Sequence, residues 1–162
     1  MTYTMRGLHF EDFEVGRAFP SASRTVTEAD VVNFAGLSGD FNPLHTDETF
    51  AAASPLKTRI AHGMLTMAVA TGLANQMGIF EGTTVALMQQ TIQYKGAVKF
   101  GDTVHLVMTV KERKETKHAS RGVVVFDVPI LNQAGDVVVQ SEWVLMMARR
   151  PTESMVGGPT KA

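Results

Sequence analysis

The feature that most restricts the possible folds of this chain is an uncharged stretch in its middle. Residues 60–80 contain no Asp, Glu, Lys or Arg, although Arg59 precedes them and Glu81 follows them. The stretch is longer than an ordinary strand and its apolar residues do not alternate, so the pattern predicts a helix. A helix that is apolar nearly all round is expected to be buried nearly all round. The remainder of the chain must therefore wrap it.

The sequence after this helix predicts four strands. Residues 85–94 and 123–131 are strand-like runs. Residues 104–111 and 137–147 show the two-residue period of a strand with two different faces. The turns between these strands are short, which indicates an antiparallel sheet. We therefore predict an α+β fold in which an antiparallel sheet wraps around one long central apolar helix.

Two shorter helices are predicted before the central one. Thr27 is a candidate N-cap for a helix that ends between residues 36 and 40, and Thr46 is a possible cap for a second helix over residues 47–53. All these elements fit one domain over residues 1–150. Residues 151–162 mix Pro, Gly, Ser and Thr with little apolar content, so we expect them to form a flexible tail.

Composition excludes several classes of function. A net charge of −1 argues against a nucleic-acid partner, which requires a basic excess. The chain has no cysteine, and its five histidines show no paired metal-binding spacing, so neither a disulfide nor a metal site is expected. No signal peptide is visible at the N-terminus, and no run reaches the ~18 apolar residues of a membrane span. These features predict a cytoplasmic protein without a membrane partner.

The run from Ser38 to His45 carries the strongest chemical signal. It reads Ser-Gly-Asp-Phe-Asn-Pro-Leu-His, with a turn at Asn42-Pro43 between the carboxylate of Asp40 and the imidazole of His45. A carboxylate and a histidine held together can position one water and move its proton. The alternative is a simple Asx turn, in which Asp40 caps backbone N–H groups and His45 lies on the surface.

Three sequence segments resemble a known family. Residues 34–45, FAGLSGDFNPLH, resemble the hydratase 2 motif of MaoC-like dehydratases and (R)-specific enoyl-CoA hydratases. Residues 59–65, RIAHGML, resemble the loop that opens the central helix in that family, and residues 98–104 resemble its strand-to-strand turn more weakly. The resemblance runs from about residue 10 to residue 148. It implies a hot-dog fold and a homodimer, or a higher homo-oligomer, in which two sheets join edge to edge.

The resemblance also implies a reaction. It is the reversible hydration of a trans-2-enoyl-CoA to an (R)-3-hydroxyacyl-CoA, and we expect a short acyl chain. Asp40 and His45 would activate one water, and the backbone N–H of Gly63 would donate to the thioester oxygen at the N-terminus of the helix. Coenzyme A is part of the substrate, so no separate cofactor is expected.

Further residues are candidates for substrate binding, each with a structural alternative. Asn42 is expected to hold the catalytic segment, and Met64 to contact the acyl chain or belong to the core. Thr71 could orient the substrate or bond the carbonyl of Met67 within its own helix. The cations Arg59, Lys95 and Lys99 could bind the phosphates of coenzyme A or remain solvated surface charges. His62 is interpreted as a structural or capping residue and not as a second catalyst.

Three other functions remain open from the sequence. A thioesterase on the same fold would direct water to the carbonyl carbon. A dehydratase could instead act on a branched or dicarboxylic acyl-CoA, or on an acyl carrier protein. A non-catalytic acyl-binding subunit would keep the fold without the reaction.

Overall fold

The chain folds into an antiparallel sheet with helices on one side of it. The computed structural model describes residues 4–151. A short 3₁₀ helix, Phe10–Asp12, precedes the other elements. These are β1 Ala18–Pro20, β2 Arg24–Thr25, α1 Glu28–Ser38, α2 Pro43–Thr46, α3 Glu48–Ala53, α4 Gly63–Gln76, β3 Thr84–Tyr94, β4 Thr103–Lys114, β5 Arg121–Leu131 and β6 Val137–Ala148.

The six strands form one sheet in the order β1-β4-β5-β6-β3, and β2 pairs with β4 beside β1. Every pairing is antiparallel. Alternate residues of β4 are buried from Val104 to Val110, as a strand with one covered face requires. The predicted α+β class and all four predicted long strands are therefore confirmed.

Helix α4 supplies the other half of the core but is buried on one side only. Leu65, Met67, Val69, Ala70, Leu73 and Ala74 are buried and belong to the cluster that includes the buried face of β4. The opposite face of α4 is exposed and consists of Met64, Ala68, Thr71, Gly72, Asn75 and Gln76. The prediction of burial nearly all round is therefore wrong for the single chain, because the sheet contacts only one face of the helix.

Helix α4 is also shorter than the uncharged stretch. Ile60 pairs with Lys99 in an isolated β-bridge, so the residues before Gly63 run as extended chain. Gly78, with φ of 75°, lies in the left-handed region and prevents the helix from continuing. The uncharged stretch therefore includes residues on both sides of α4 as well as the helix itself.

The caps of the shorter helices differ in part from the prediction. Thr27 does cap α1, since its side chain accepts a hydrogen bond from the backbone N–H of Asp30. Thr46 is not the cap of α3, because Asp47 accepts from the N–H of Phe50 and performs that role. Thr46 instead ends α2, a single turn that the sequence analysis did not predict.

Most of the predicted C-terminal tail, residues 152–162, lies outside the described residues. Within residues 4–151, none of the helices combines the length and the apolar character that a membrane crossing requires.

Candidate active site

Asp40 lies in the sharp turn that follows α1. Gly39 ends this helix with φ of 77°, a conformation that favours glycine. An Asp40 carboxylate oxygen then accepts from the N–H of Asn42 at 3.2 Å. In turn, the Asn42 side chain accepts from the N–H of Leu44 at 3.0 Å and starts α2, with Pro43 in the first turn. The predicted Asx turn is therefore present.

The same turn brings Asp40 and His45 together, so the two interpretations of the motif are compatible. A carboxylate oxygen of Asp40 and ring nitrogens of His45 and His62 all lie within 4.8 Å of one another. Asp40 is exposed and His45 is half-buried, so a small molecule can reach both. This geometry suits two polar groups that share one water.

A hydrogen bond to the backbone fixes the orientation of the His45 ring. Its Nδ1 lies 2.8 Å from the carbonyl oxygen of Ile60. Because a carbonyl only accepts, Nδ1 carries the proton and donates it, so in the neutral imidazole the lone pair is on Nε2. His45 therefore presents a basic nitrogen to its surroundings.

His62 is a site residue whose placement the sequence analysis missed. It precedes α4 at the N-cap position, but its side chain makes no capping hydrogen bond. Of the two predicted roles, structural or capping, only the capping role is therefore wrong. Its Nε2 lies 2.9 Å from the backbone carbonyl oxygen of Asp40, and its ring centre lies 3.8 Å from that of His45. The sequence signals for His62 were its place in the segment RIAHGML and the presence of a histidine inside an otherwise uncharged stretch.

Gly63 begins α4 in the wall of the same pocket. As in the first turn of any α-helix, its N–H has no acceptor within the helix. Among residues 4–151 it has no other hydrogen-bond partner, so it can donate to a ligand. The ring of Tyr94 packs directly over this glycine, since a Cβ built on Gly63 would lie 2.6 Å from Cε1 of the tyrosine. The Tyr94 hydroxyl donates to the sulfur of Met64 at 3.4 Å, and burial raises the pKa of this phenol. Tyr94 is a second pocket residue that the sequence analysis did not identify.

These groups surround a pocket of about 540 Å³ with mainly apolar walls. Its polar groups are few, as in many sites for small molecules. The lining consists of Phe34, Ser38, Asp40, His45, Ile60, Ala61, His62, Gly63, Met64, Thr66, Tyr94, Gly96, Ala97, Val98 and Val139.

Among the other predicted residues, Met64 lines this pocket and Thr71 does not. The hydroxyl of Thr71 donates to the carbonyl of Met67 at 2.9 Å, which is the structural alternative considered for it. Thr71 borders a separate groove of about 180 Å³ together with Leu87 and Trp143. The described structure therefore does not bring Thr71 to Asp40 and His45.

The predicted cations differ in their surroundings. Arg59 forms ion pairs with Glu28 at 2.6 Å and Glu48 at 3.1 Å and lies over the ring of Phe100. The hydrogen bond to Glu28, followed by that to Glu48, raises the pKa of Arg59. These contacts tie α1 to α3 and occupy the guanidinium with carboxylates of this chain. The predicted contact of Arg59 with coenzyme A phosphates stays a prediction.

Lys95 and Lys99 remain available to an anionic ligand. Both residues are exposed and flank the wall formed by residues 96–98. Among the described residues, neither ammonium group has an ion-pair partner. Their predicted contact with coenzyme A phosphates stays a prediction, as does the expectation that no metal is bound.

The comparisons with known proteins identify the family. Residues 12–129 match the family described as the MaoC like domain. An (R)-specific enoyl-CoA hydratase of Rhodospirillum rubrum is 33% identical over 146 residues, which cover 88% of this chain and 93% of that protein. A 3-hydroxybutyryl-CoA dehydratase of Methylorubrum extorquens is 36% identical over 108 residues, which cover 67% of each protein. The chain belongs to the MaoC-like dehydratase family, as its motifs indicated.

A solved structure supports the fold. A Mycobacterium tuberculosis protein with a double hot-dog fold superposes with a TM-score of 0.77 at 19% identity. The superposition covers 90% of this chain and 45% of the Mycobacterium protein. At that identity the likeness concerns the fold alone. The long helix α4 against an antiparallel sheet is thus a hot-dog fold, which confirms the prediction.

Proposed function

We propose that this enzyme catalyses the reversible addition of water to a short-chain trans-2-enoyl-CoA, which yields an (R)-3-hydroxyacyl-CoA. The observation that carries the proposal is the meeting of three groups in one pocket. These are the carboxylate of Asp40, the basic Nε2 of His45 and the N–H of Gly63 at the start of α4. The names of the relatives, a hydratase and a dehydratase of acyl-CoA thioesters, agree with this chemistry.

In the hydration direction, Asp40 and His45 bind one water between them. The water oxygen forms a bond to C3 while one of its O–H bonds breaks and the pair takes the proton. The pair then gives a proton to C2, so the elements of water are added across the double bond. Because both events occur on the side of the pair, syn addition follows. Such general acid–base catalysis contributes roughly 10²–10⁴-fold to a rate.

Negative charge develops on the thioester oxygen during this addition, and the N–H of Gly63 is proposed to stabilise it. The free N–H groups and the dipole of an α-helix favour an anion at the N-terminus. Glycine at this position also lets the ring of Tyr94 pack against the start of α4, since a Cβ would lie 2.6 Å from Cε1 of that ring. A donor of this kind is worth roughly 10²–10³-fold in turnover.

The surroundings of the pair support a short acyl group on coenzyme A. The pocket of about 540 Å³ must hold the acyl group and the thioester together, and Phe34, Met64 and Val139 supply apolar walls. The exposed ammonium groups of Lys95 and Lys99 are proposed to contact the phosphates of coenzyme A. One relative is named for a four-carbon substrate, which agrees with a short chain.

The first experiment measures the hydration of crotonyl-CoA by the purified chain and by Asp40→Asn and His45→Ala. Each substitution removes a group that handles the proton, so kcat should fall by roughly 10²–10⁴-fold. Asp127→Asn and His118→Ala are matched controls, since both residues are exposed and lie outside the pocket.

The same assay separates the proposal from its competitors. Chiral chromatography of the product should give the (R)-3-hydroxyacyl thioester, and a thiol reagent should detect no released coenzyme A. Catalytic rates in both variants within threefold of the parent would contradict the roles of Asp40 and His45. Thiol release without hydration would show a thioesterase instead.

A further inference from the structure

His62 is a buried histidine that the proposed mechanism does not use. It is 2% exposed, and its Nδ1 has no hydrogen-bond partner in the part of the chain that the structure describes. A buried polar atom without a partner is unfavourable, and a phenylalanine would avoid that cost. The other nitrogen must therefore supply something that an apolar ring cannot.

That other nitrogen holds Asp40 from outside its own loop. The remaining hydrogen bonds of Asp40 join it to Ser38 and Asn42, which are its near neighbours in the turn. The bond from His62 Nε2–H to the Asp40 carbonyl instead joins residues that are 22 positions apart, and it links the turn to the residue that precedes α4. It sets the position of the carboxylate relative to the N–H of Gly63.

The ring of His62 also supports His45. The two imidazole rings lie 3.8 Å apart with an angle of 31° between their planes, and Phe34 packs 5.1 Å from His62. His45 is thus held by its bond to Ile60 and by a buried ring against its face. Side chains that pack in this way lose rotational freedom before the substrate binds.

We propose that His62 is a positioning residue for the Asp40–His45 pair, with the hydrogen bond to the Asp40 carbonyl as its main contribution. The inference rests on the proposed function and extends it to a residue to which that mechanism assigns no proton transfer. It requires the proton of His62 to lie on Nε2, because the Asp40 carbonyl can only accept.

Two substitutions separate the donor from the ring. His62→Phe keeps a ring beside His45 and loses the donor, whereas His62→Gln keeps an N–H donor and loses the ring. We expect His62→Phe to lower kcat for crotonyl-CoA by roughly 30- to 100-fold, because a displacement of about 1 Å can cost that much. KM should change less than about threefold. The kcat of His62→Gln should exceed that of His62→Phe by about tenfold or more.

Nuclear magnetic resonance provides a readout that does not need activity. The ¹⁵N spectrum of the parent should show His62 protonated at Nε2 and bare at Nδ1. The backbone order parameter of Asp40 should fall in His62→Phe and stay near the parent value in His62→Gln. Thermal unfolding of both variants identifies any loss that comes from global instability.

The outcomes distinguish this inference from the proposed function. A parent that does not hydrate any enoyl-CoA would contradict the function, and the order parameter of Asp40 would still decide the positioning role. An active parent with an equally active His62→Phe would overturn the positioning role alone. So would a His62→Gln variant no better than His62→Phe, an Asp40 that stays rigid in His62→Phe, or a proton on Nδ1 of His62.

Discussion

At Gly63 the backbone lies so close to a side chain that a single methyl group has no room. A Cβ there would lie 2.6 Å from Cε1 and 2.7 Å from Cζ of Tyr94. Gly63→Ala must therefore displace either the tyrosine or the first turn of α4, which carries the proposed oxyanion donor. We expect kcat for enoyl-CoA hydration to fall by roughly 10²-fold, since one such donor is worth about that.

The control for this substitution is Gly36→Ala. Gly36 lies within α1, and a Cβ there meets nothing within 4 Å. Alanine favours a helix more than glycine by ~1 kcal/mol, so this variant should be at least as stable as the parent and equally active. Steady-state kinetics and thermal unfolding of both proteins check the prediction. An active Gly63→Ala variant would show that the close contact has no bearing on turnover.

At the residue scale, local chemistry was predictable and long-range contacts were not. The turn that joins Asp40 to His45 lies within one short motif, so the sequence indicated it directly. The orientation of His62 depends on a carbonyl 22 residues away, and the charge of Arg59 is satisfied by carboxylates that are distant in sequence. Residue spacing in the sequence does not predict such partners, because they come together only when the whole chain packs.

At the scale of elements, the N-terminus of α1 shows how a cap responds to pH. Asp30 accepts from the backbone N–H of Thr27 at 2.9 Å, and this hydrogen bond lowers the pKa of Asp30, with help from the Thr27 hydroxyl and from Arg24. A carboxyl whose pKa is lowered by folding stabilises the fold above its ordinary value of 3.8. That contribution is lost as the pH falls through the lowered pKa.

We therefore expect Asp30→Ala to lower the free energy of unfolding by ~1 kcal/mol at pH 7, as for the loss of a capping residue. The difference from the parent should shrink at acid pH, because the parent then loses the same interaction. Urea unfolding at pH 7 and near pH 3 measures both values. Thr27→Ser keeps the capping oxygen and should change little. A difference that is equal at both pH values would contradict the argument.

The element boundaries that the sequence analysis missed have local physical causes. The turn α2 is a single helical turn that starts at Pro43, too short to show a period. The uncharged stretch extends beyond α4 at both ends, because residues that run as extended chain beside the core also lack charge. Charge and periodicity indicate which residues are buried. They therefore predict that a helix or strand is present better than they predict the residues at which it begins and ends.

At the scale of the whole molecule, one edge of the sheet is exposed and apolar. Strand β3 ends the sheet, and Val85, Leu87 and Met88 on it are 49%, 44% and 53% exposed. Beside it lies the uncharged exposed face of α4, and Leu87 and Thr71 border one groove. An exposed apolar edge strand favours pairing with another chain. We expect a second copy of this chain to cover it, in agreement with the predicted homodimer.

Leu87→Lys tests this pairing. In a twofold dimer the substitution introduces a charge on each chain at the interface, so we expect the parent to sediment as a dimer and this variant as a monomer. Val15→Lys is the matched control, since Val15 is 65% exposed and lies outside every strand and helix. Tyr94 is the last residue of β3 and also lines the pocket. We therefore expect the monomeric variant to lose hydratase activity as well. A monomeric parent, or a Leu87→Lys variant that sediments as the parent dimer does, would show that this edge is not the interface.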